Sequence, residues 1–155
     1  MVKIEIQEAK AEDLPAIFSL YAQPDIDNGK VLSAEEAQKI FTRIKSYPNY
    51  RIFVAKAKGE ILGTFALLIM DNLAHMGAPS GIVEEVAVHP NWQGKEIGKQ
   101  MMEFAMNRCR KMGCYKLALS SNLKREAAHR FYESLGFQKH GYSFLVALAG
   151  GGNKR

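Results

Sequence analysis

The sequence predicts a mixed α+β fold, a sheet with helices packed on it. Two patterns and their order predict it. Apolar residues repeat with period two in six segments and with a helical period in four, in the order β-α-α-β-β-β-α-β-α-β. With 155 residues, 47% hydrophobic and 24% charged, the chain has the size and composition of one domain. We assign this domain to residues 1–149 and expect 150–155 to be a flexible tail.

The first half of the chain alternates strands with two helices. Ser33, with Glu36 three residues later, resembles a capping box and predicts the start of the second helix. Lys58-Gly59 separates two β-branched and aromatic runs, which predicts a hairpin. The predicted elements are a strand at 2–7, helices opening at Ala11–Pro15 and after Ser33, and strands at 51–57 and 60–70.

The second half repeats the alternation with longer helices. His89-Pro90 ends one strand, and Ile97, Met101, Ala105 and Cys109 mark the buried face of a long helix. The predicted elements are a strand at 82–88, a helix from about Lys95 to Met112, a strand at 115–120, a helix at 126–135 and a final strand at 142–148.

Composition excludes several classes of protein. The net charge is +5, a mild excess without a basic stripe, so we expect an anionic ligand and no nucleic acid. No apolar run approaches the roughly 20 residues of a membrane span, and no signal peptide pattern opens the chain, so we expect a cytoplasmic protein without a membrane partner. Two cysteines and four histidines supply no clustered ligand set, so no metal is expected.

The segment after the fourth predicted strand has the features of an anion site. A strand ends at Val88, a turn follows, and a helix opens around Gly94 and Gly98. The first N–H groups of a helix have no partners and its dipole is positive there, so such a start attracts phosphates. Glycines let a pyrophosphate approach the backbone, and Lys95 adds positive charge.

Two motifs in this half resemble the Gcn5-related N-acetyltransferase (GNAT) superfamily. Gln93 and Gly98 match its loop pattern Gln/Arg-x-x-Gly-x-Gly/Ala, although Glu96 stands where the middle glycine is usual. The segment 128–137, AHRFYESLGF, resembles the second motif, Ala-x-x-Phe-Tyr-x-x-x-Gly-Phe. Both motifs occur in the expected order, and the specific resemblance covers about residues 82–148.

The resemblance implies a fold and an acetyl donor. The fold would be a mixed, mostly antiparallel sheet of six to seven strands, flanked by about four helices. Its cleft would open where the strand ending at Val88 splays from the one beginning at Tyr115, and it would bind acetyl-coenzyme A. The expected cofactor-binding residues are Val86, Ala87, Val88, Gln93, Gly94, Lys95, Glu96, Ile97, Gly98, Lys99, Asn122 and His129.

The resemblance also implies catalytic residues. In many relatives the residue matching Tyr132 donates a proton to the leaving thiolate, a role its phenol can fill. An acceptor for the amine proton helps because an ammonium with pKa near 10.4 is rarely neutral at pH 7. Glu84 and Glu85 are the candidates. Strand alternation predicts that they face opposite sides, so that one reaches the substrate, and relatives favour Glu84.

The expected activity is acetyl transfer to the primary amine of a small molecule by direct attack in a ternary complex. A covalent route needs an activated nucleophile, and Cys109 and Cys114 lie at or beyond the far end of the long helix. The alternatives are a non-catalytic acyl-coenzyme A sensor and an enzyme that acetylates protein or peptide amines. His75 is a substrate-binding candidate, relatives are often homodimers, and residues 120–132 resemble aminoalkylphosphonate acetyltransferases, which implies a small anionic amine.

Overall fold

A computed structural model describes residues 2–148. This part of the chain divides into two compact units, and the division falls between Leu119 and Ser120. The first unit holds a five-stranded sheet with the strands in chain order, antiparallel except for the parallel pair β4–β5. The strands are β1 (Glu5–Glu8), β2 (Tyr50–Ala57), β3 (Glu60–Met70), β4 (Ser80–Val88) and β5 (Lys116–Ala118).

Four α-helices lie within residues 2–148, as predicted. They are α1 (Leu14–Tyr21), α2 (Ala34–Ser46), α3 (Ile97–Lys111) and, in the second unit, α4 (Glu126–Ser134). The Ser33 hydroxyl accepts the Glu36 N–H at 3.2 Å, which confirms the predicted start of α2. Lys58 and Gly59 take positive φ values of 51° and 79°, and these suit the tight β2–β3 turn.

The two faces of the sheet are covered by different helices. Val54 packs with Leu14, Ile17 and Phe41, so α1 and α2 cover its face. The preceding residue, Phe53, points the other way and contacts Phe104 of α3, with ring centroids 5.1 Å apart. An ion pair of 3.1 Å between Lys56 and the buried Asp13 ties β2 to the start of α1.

Gly63 lets α3 approach the sheet closely. A Cβ there would lie 2.9 Å from Met101 Sδ and 3.3 Å from Ile97 Cγ2. Both distances are too short for ordinary van der Waals contact, so any side chain would push the first turns of α3 away from β3. Glycine at this position therefore fixes the start of α3 near the end of β4.

Strand β4 pairs with β5 only at its beginning. The ladder joins Ser80–Ile82 to Lys116–Ala118, whereas β4 continues to Val88. Within the residues that the structure describes, 83–88 therefore have a strand partner on the β3 side alone. The predicted divergence of the two strands stays a prediction, because β5 ends at Ala118.

A β-bulge interrupts β4 at its acidic pair. Thr64 pairs with Ala87, and Ala66 pairs with Glu84. Two residues of β4, Glu85 and Val86, therefore lie opposite the single residue Phe65 of β3. Glu85 takes a left-handed conformation with φ 53°. The bulge breaks the strand alternation on which the sequence argument about Glu84 and Glu85 rests.

The sequence overestimates the number of strands. The sheet has five strands, not six to seven, and residues 142–148 adopt no regular secondary structure. The apolar pattern there suits a strand, but a strand needs a neighbour for its backbone hydrogen bonds. In the part of the chain described, this segment has no ladder partner, and its large apolar side chains are exposed: Tyr142, Phe144, Leu145, Val146 and Leu148.

Two sequence expectations about organisation stay predictions. The assignment of residues 1–149 to a single domain is one, and the flexible tail at 150–155 lies outside the described residues. Between residues 2 and 148, no helix is both long enough and apolar enough to cross a lipid bilayer.

Candidate functional site

The first turn of α3 presents unpaired backbone donors. The first hydrogen bond of the helix runs from the Gln100 N–H to the Glu96 carbonyl, 3.1 Å away. The N–H groups of Ile97, Gly98 and Lys99 therefore have no acceptor inside the helix. Together with the positive end of the helix dipole, they form the anion site that the sequence predicts.

The turn before α3 contains two residues with positive φ. Gly94 has φ 75° and nothing within 4 Å of its missing Cβ, and Glu96 has φ 65°. The Glu96 carboxylate lies 3.8 Å from the Lys99 ammonium, and both side chains are about half exposed. Glu96 therefore offsets part of the positive charge that Lys99 brings to this turn.

The end of β4 is fastened by two glutamine side chains. The Val88 carbonyl accepts hydrogen bonds from the amides of Gln93, at 3.4 Å, and Gln23, at 3.2 Å. Gln23 also donates to the Leu20 carbonyl, so it ties the end of α1 to the end of β4. Sequence analysis misses Gln23, because no local pattern links residues 65 positions apart.

The β-bulge decides how Glu84 and Glu85 are placed on β4. Glu84 pairs with Ala66, and Ala66 pairs with Ile52, whose side chain packs against α1 and α2. Residues paired in this way share a face, so Glu84 faces the side of α1 and α2. Glu85 lies in the bulge, and its charge helps to raise the pKa of Tyr21 on α1. Both carboxylates are exposed. The bulge removes the alternation on which the prediction of opposite faces rests, and that prediction stays a prediction.

Two tyrosines accompany these carboxylates. Burial is the main cause that raises the pKa of Tyr21, while the nearby Thr64 hydroxyl acts in the opposite direction. Burial also raises the pKa of Tyr50, and the charges of Glu85 and Glu84 add to it. Both phenols therefore stay protonated at neutral pH. The sequence gives no motif for either tyrosine.

In the second unit, the structure brings Asn122 and His129 together. The His129 Nε2 lies 2.8 Å from the Asn122 carbonyl oxygen, and the Asn122 Oδ1 accepts the Lys124 N–H at 2.9 Å. These contacts fix the turn that leads into α4. They support a structural role for both residues, and their predicted cofactor contacts stay predictions.

Tyr132 lies on α4 among aromatic side chains. Its ring centroid is 5.2 Å from that of Phe131 and 5.7 Å from that of Phe137. Burial raises the pKa of the Tyr132 phenol, and the positive charge of Arg125 acts in the opposite direction. The phenol is therefore protonated across the physiological range, which is the state a proton donor needs.

His75 has a partner in the first unit. Its ring stacks on that of Tyr115, with centroids 4.1 Å apart. This contact accounts for the position of the imidazole without a ligand. A substrate contact by His75 stays a prediction.

The family follows from a sequence comparison. Residues 12–137, most of the chain, match the family described as "Acetyltransferase (GNAT) family". The chain belongs to the GNAT family. The α+β fold with a mixed five-stranded sheet and four helices agrees with it, and so do named N-acetyltransferase relatives. The protein is an N-acetyltransferase, of a family whose acetyl donor is acetyl-coenzyme A.

Three relatives show the range of the likeness. The aminoalkylphosphonate N-acetyltransferase of Salmonella typhimurium is 29% identical, over 93% of this chain and 91% of the relative. The crystal structure of glucosamine-6-phosphate N-acetyltransferase from Arabidopsis thaliana has a TM-score of 0.80 and 26% identity, covering 94% of this chain and 98% of its own. A transcriptional regulator from Bacillus halodurans C-125 has a TM-score of 0.87 and 25% identity, covering 94% and 100%.

The residues of this GNAT chain fit an anionic cofactor. The three free N–H groups at the start of α3, with Gly98 among them, suit a pyrophosphate. The edge of β4 at 83–88 has no strand partner on the β5 side in the described chain and can offer backbone groups to a pantetheine arm. The side-chain amide of Gln93 donates a hydrogen bond to the Val88 carbonyl in this structure. Among residues 2–148, no group of three His, Cys, Asp or Glu could hold a metal ion.

Replacing Glu96 by glycine is expected to tighten coenzyme A binding about threefold. The change removes a negative charge near the anion site and frees Lys99 from its partner, and exposed charge pairs contribute at most about 1 kcal/mol. Calorimetric titration of the parent and Glu96→Gly measures it. Glu96→Ala is the matched control, since it removes the charge but keeps a Cβ in the left-handed region. An equal gain in coenzyme A affinity in both variants identifies the loss of the Glu96 charge as the cause. Weaker coenzyme A binding by Glu96→Gly contradicts the expectation.

Proposed function

We propose that this N-acetyltransferase transfers the acetyl group of acetyl-coenzyme A directly to the primary amine of a small molecule. The observation that carries the proposal is the start of α3, where three N–H groups without acceptors lie next to an incompletely paired β4. Acetyl-coenzyme A supplies the acetyl group as a thioester. The protein supplies orientation, an acceptor for the amine proton and a donor for the departing thiolate.

The acceptor substrate follows from the relatives and the site. The names of two relatives specify an amine that also carries a phosphonate or a phosphate group. The two exposed carboxylates of Glu84 and Glu85 suit the ammonium end of such a molecule. We propose a small amine with an anionic group as the substrate. We also propose that the enzyme is a homodimer and that it is located in the cytoplasm.

The proposed proton transfers use three side chains. Glu84, or Glu85 beside it, accepts the amine proton directly or through water, and Tyr132 protonates the thiolate. The bulge at Glu85 removes the geometric reason for choosing one of the two glutamates. The preference for Glu84 therefore rests on the family resemblance alone.

Direct transfer is supported by the state of the cysteines. Cys109 is buried, and burial, with Cys114 beside it, raises the pKa of its thiol to about 12. A thiol with such a pKa supplies almost no thiolate at neutral pH. Cys109 also lies about 18 Å along α3 from Ile97, at a rise of about 1.5 Å per residue. Neither its acidity nor its position suits an acetyl-enzyme intermediate.

Release of free thiol from acetyl-coenzyme A tests the function. The acceptors are an aminoalkylphosphonate, glucosamine 6-phosphate, an aminoglycoside, a linear polyamine and a lysine-containing peptide. We expect release above background hydrolysis with the phosphonate or the phosphate. Release with the peptide alone identifies a peptide acetyltransferase. Coenzyme A binding without release for any amine identifies a sensor, the function that a transcriptional regulator of this fold suggests.

A further inference from the structure

Tyr50 lies on the same face of the sheet as Glu84, the first residue of the acidic pair. The register joins Ile52 to Ala66 and Ala66 to Glu84, so Ile52 and Glu84 share a face. Tyr50 precedes Ile52 by two residues and faces the same way. The register places Tyr50 level with Ile82, two residues before Glu84, so the Cα atoms of Tyr50 and Glu84 are about 12 Å apart across two strand spacings. Extended tyrosine and glutamate side chains span much of this distance from opposite sides.

The position of Tyr50 is held from several directions. Its ring stacks on that of Tyr47, with centroids 6.2 Å apart and an angle of 12° between the planes. The Arg51 guanidinium donates hydrogen bonds of 2.8 Å to the carbonyls of Tyr47 and Tyr50, and it pairs with Glu8 at 3.3 Å. The phenol is therefore presented by a fixed stretch of backbone.

The electrostatic surroundings of the phenol include both carboxylates. Glu85 and Glu84 each raise the pKa of Tyr50, in addition to the effect of burial, and the neighbouring Tyr47 adds to them. The phenol is therefore neutral at working pH. A neutral phenol can accept a hydrogen bond through its oxygen while it donates its own proton elsewhere.

A primary ammonium group has three N–H donors, and two carboxylates and one phenol oxygen can each accept one of them. We propose that the Tyr50 oxygen is the third acceptor for the substrate ammonium, beside the carboxylates of Glu84 and Glu85, and that it makes the enzyme selective for primary amines. This inference rests on the proposed function. Tyr50 is then a specificity-determining residue, because an N-methylated ammonium has two N–H donors and leaves one acceptor unpaired.

The test compares a primary amine with its N-methyl derivative. The kcat/KM for both is measured with the parent, Tyr50→Phe and Tyr47→Phe, using whichever amine the parent acetylates best. Phenylalanine keeps the ring and its stacking, so we expect folding to be retained, and thermal unfolding checks this. Tyr47→Phe is the matched control, since it removes a phenol from the exposed partner ring and leaves the three acceptors in place.

We expect Tyr50→Phe to lower kcat/KM for the primary amine about tenfold and for the N-methyl amine by less than about threefold. The preference for the primary amine then narrows, while Tyr47→Phe leaves it unchanged. A loss that is equal for both amines indicates a structural role and overturns the inference, and so does an unchanged preference. A parent that acetylates no amine overturns the proposed function, and the inference with it. An active parent with an unchanged preference overturns the inference alone.

Discussion

Gly98→Trp is expected to weaken coenzyme A binding by more than about 100-fold. Gly98 is the second residue of α3, among the three N–H groups that have no acceptor in the helix. The Cα–Cβ bond of a helical residue tilts toward the N-terminus, so an indole here would cover those donors. Each hydrogen bond to a charged group contributes about 1.5–3 kcal/mol, and the loss of two accounts for the expected change.

The control for this variant is Glu103→Trp, on the exposed side of the same helix. It adds an indole without approaching the first turn, so it should bind coenzyme A like the parent. Tryptophan has a higher helix propensity than glycine, so Gly98→Trp should not weaken α3. Calorimetric titration measures both affinities. Equal affinities for Gly98→Trp and the parent would remove the start of α3 from the binding site.

The sequence is informative where local chemistry decides the structure. Positive φ values at Gly59 and Gly94 and the side-chain cap at Ser33 depend on residue type, and each lies where the sequence places a turn or a helix start. The start of α3 is of this kind as well, since unpaired N–H groups follow from any helix start. These features account for the correct order of the first nine elements.

The sequence is uninformative where a distant partner decides the structure. Glu84 and Glu85 look like alternating strand residues, and only the pairing with β3 shows that a bulge interrupts the alternation. Gln23, just beyond the end of α1, reaches Val88 through a hydrogen bond that no local spacing encodes. Residues 142–148 have a strand pattern but no neighbouring strand in the described chain.

Tyr132→Phe is expected to lower kcat about 100-fold and to leave the affinity for coenzyme A unchanged. General acid catalysis contributes roughly 10²- to 10⁴-fold, and phenylalanine removes only the proton donor. The ring keeps its contacts with Phe131 and Phe137, so the packing of α4 should persist. Steady-state kinetics with calorimetric titration separates the loss in turnover from any loss in binding.

The pH dependence gives this prediction a second readout. Burial raises the pKa of Tyr132 above its ordinary value of 10, so the phenol stays protonated and active until the pH exceeds that value. The kcat of the parent should therefore show no decline due to this group below about pH 10. Tyr142→Phe is the control, since it removes an exposed phenol of the same unit and should leave kcat unchanged. If Tyr132→Phe turns over at the parent's rate, the proton reaches the thiolate from another donor, because no other property of the ring has changed.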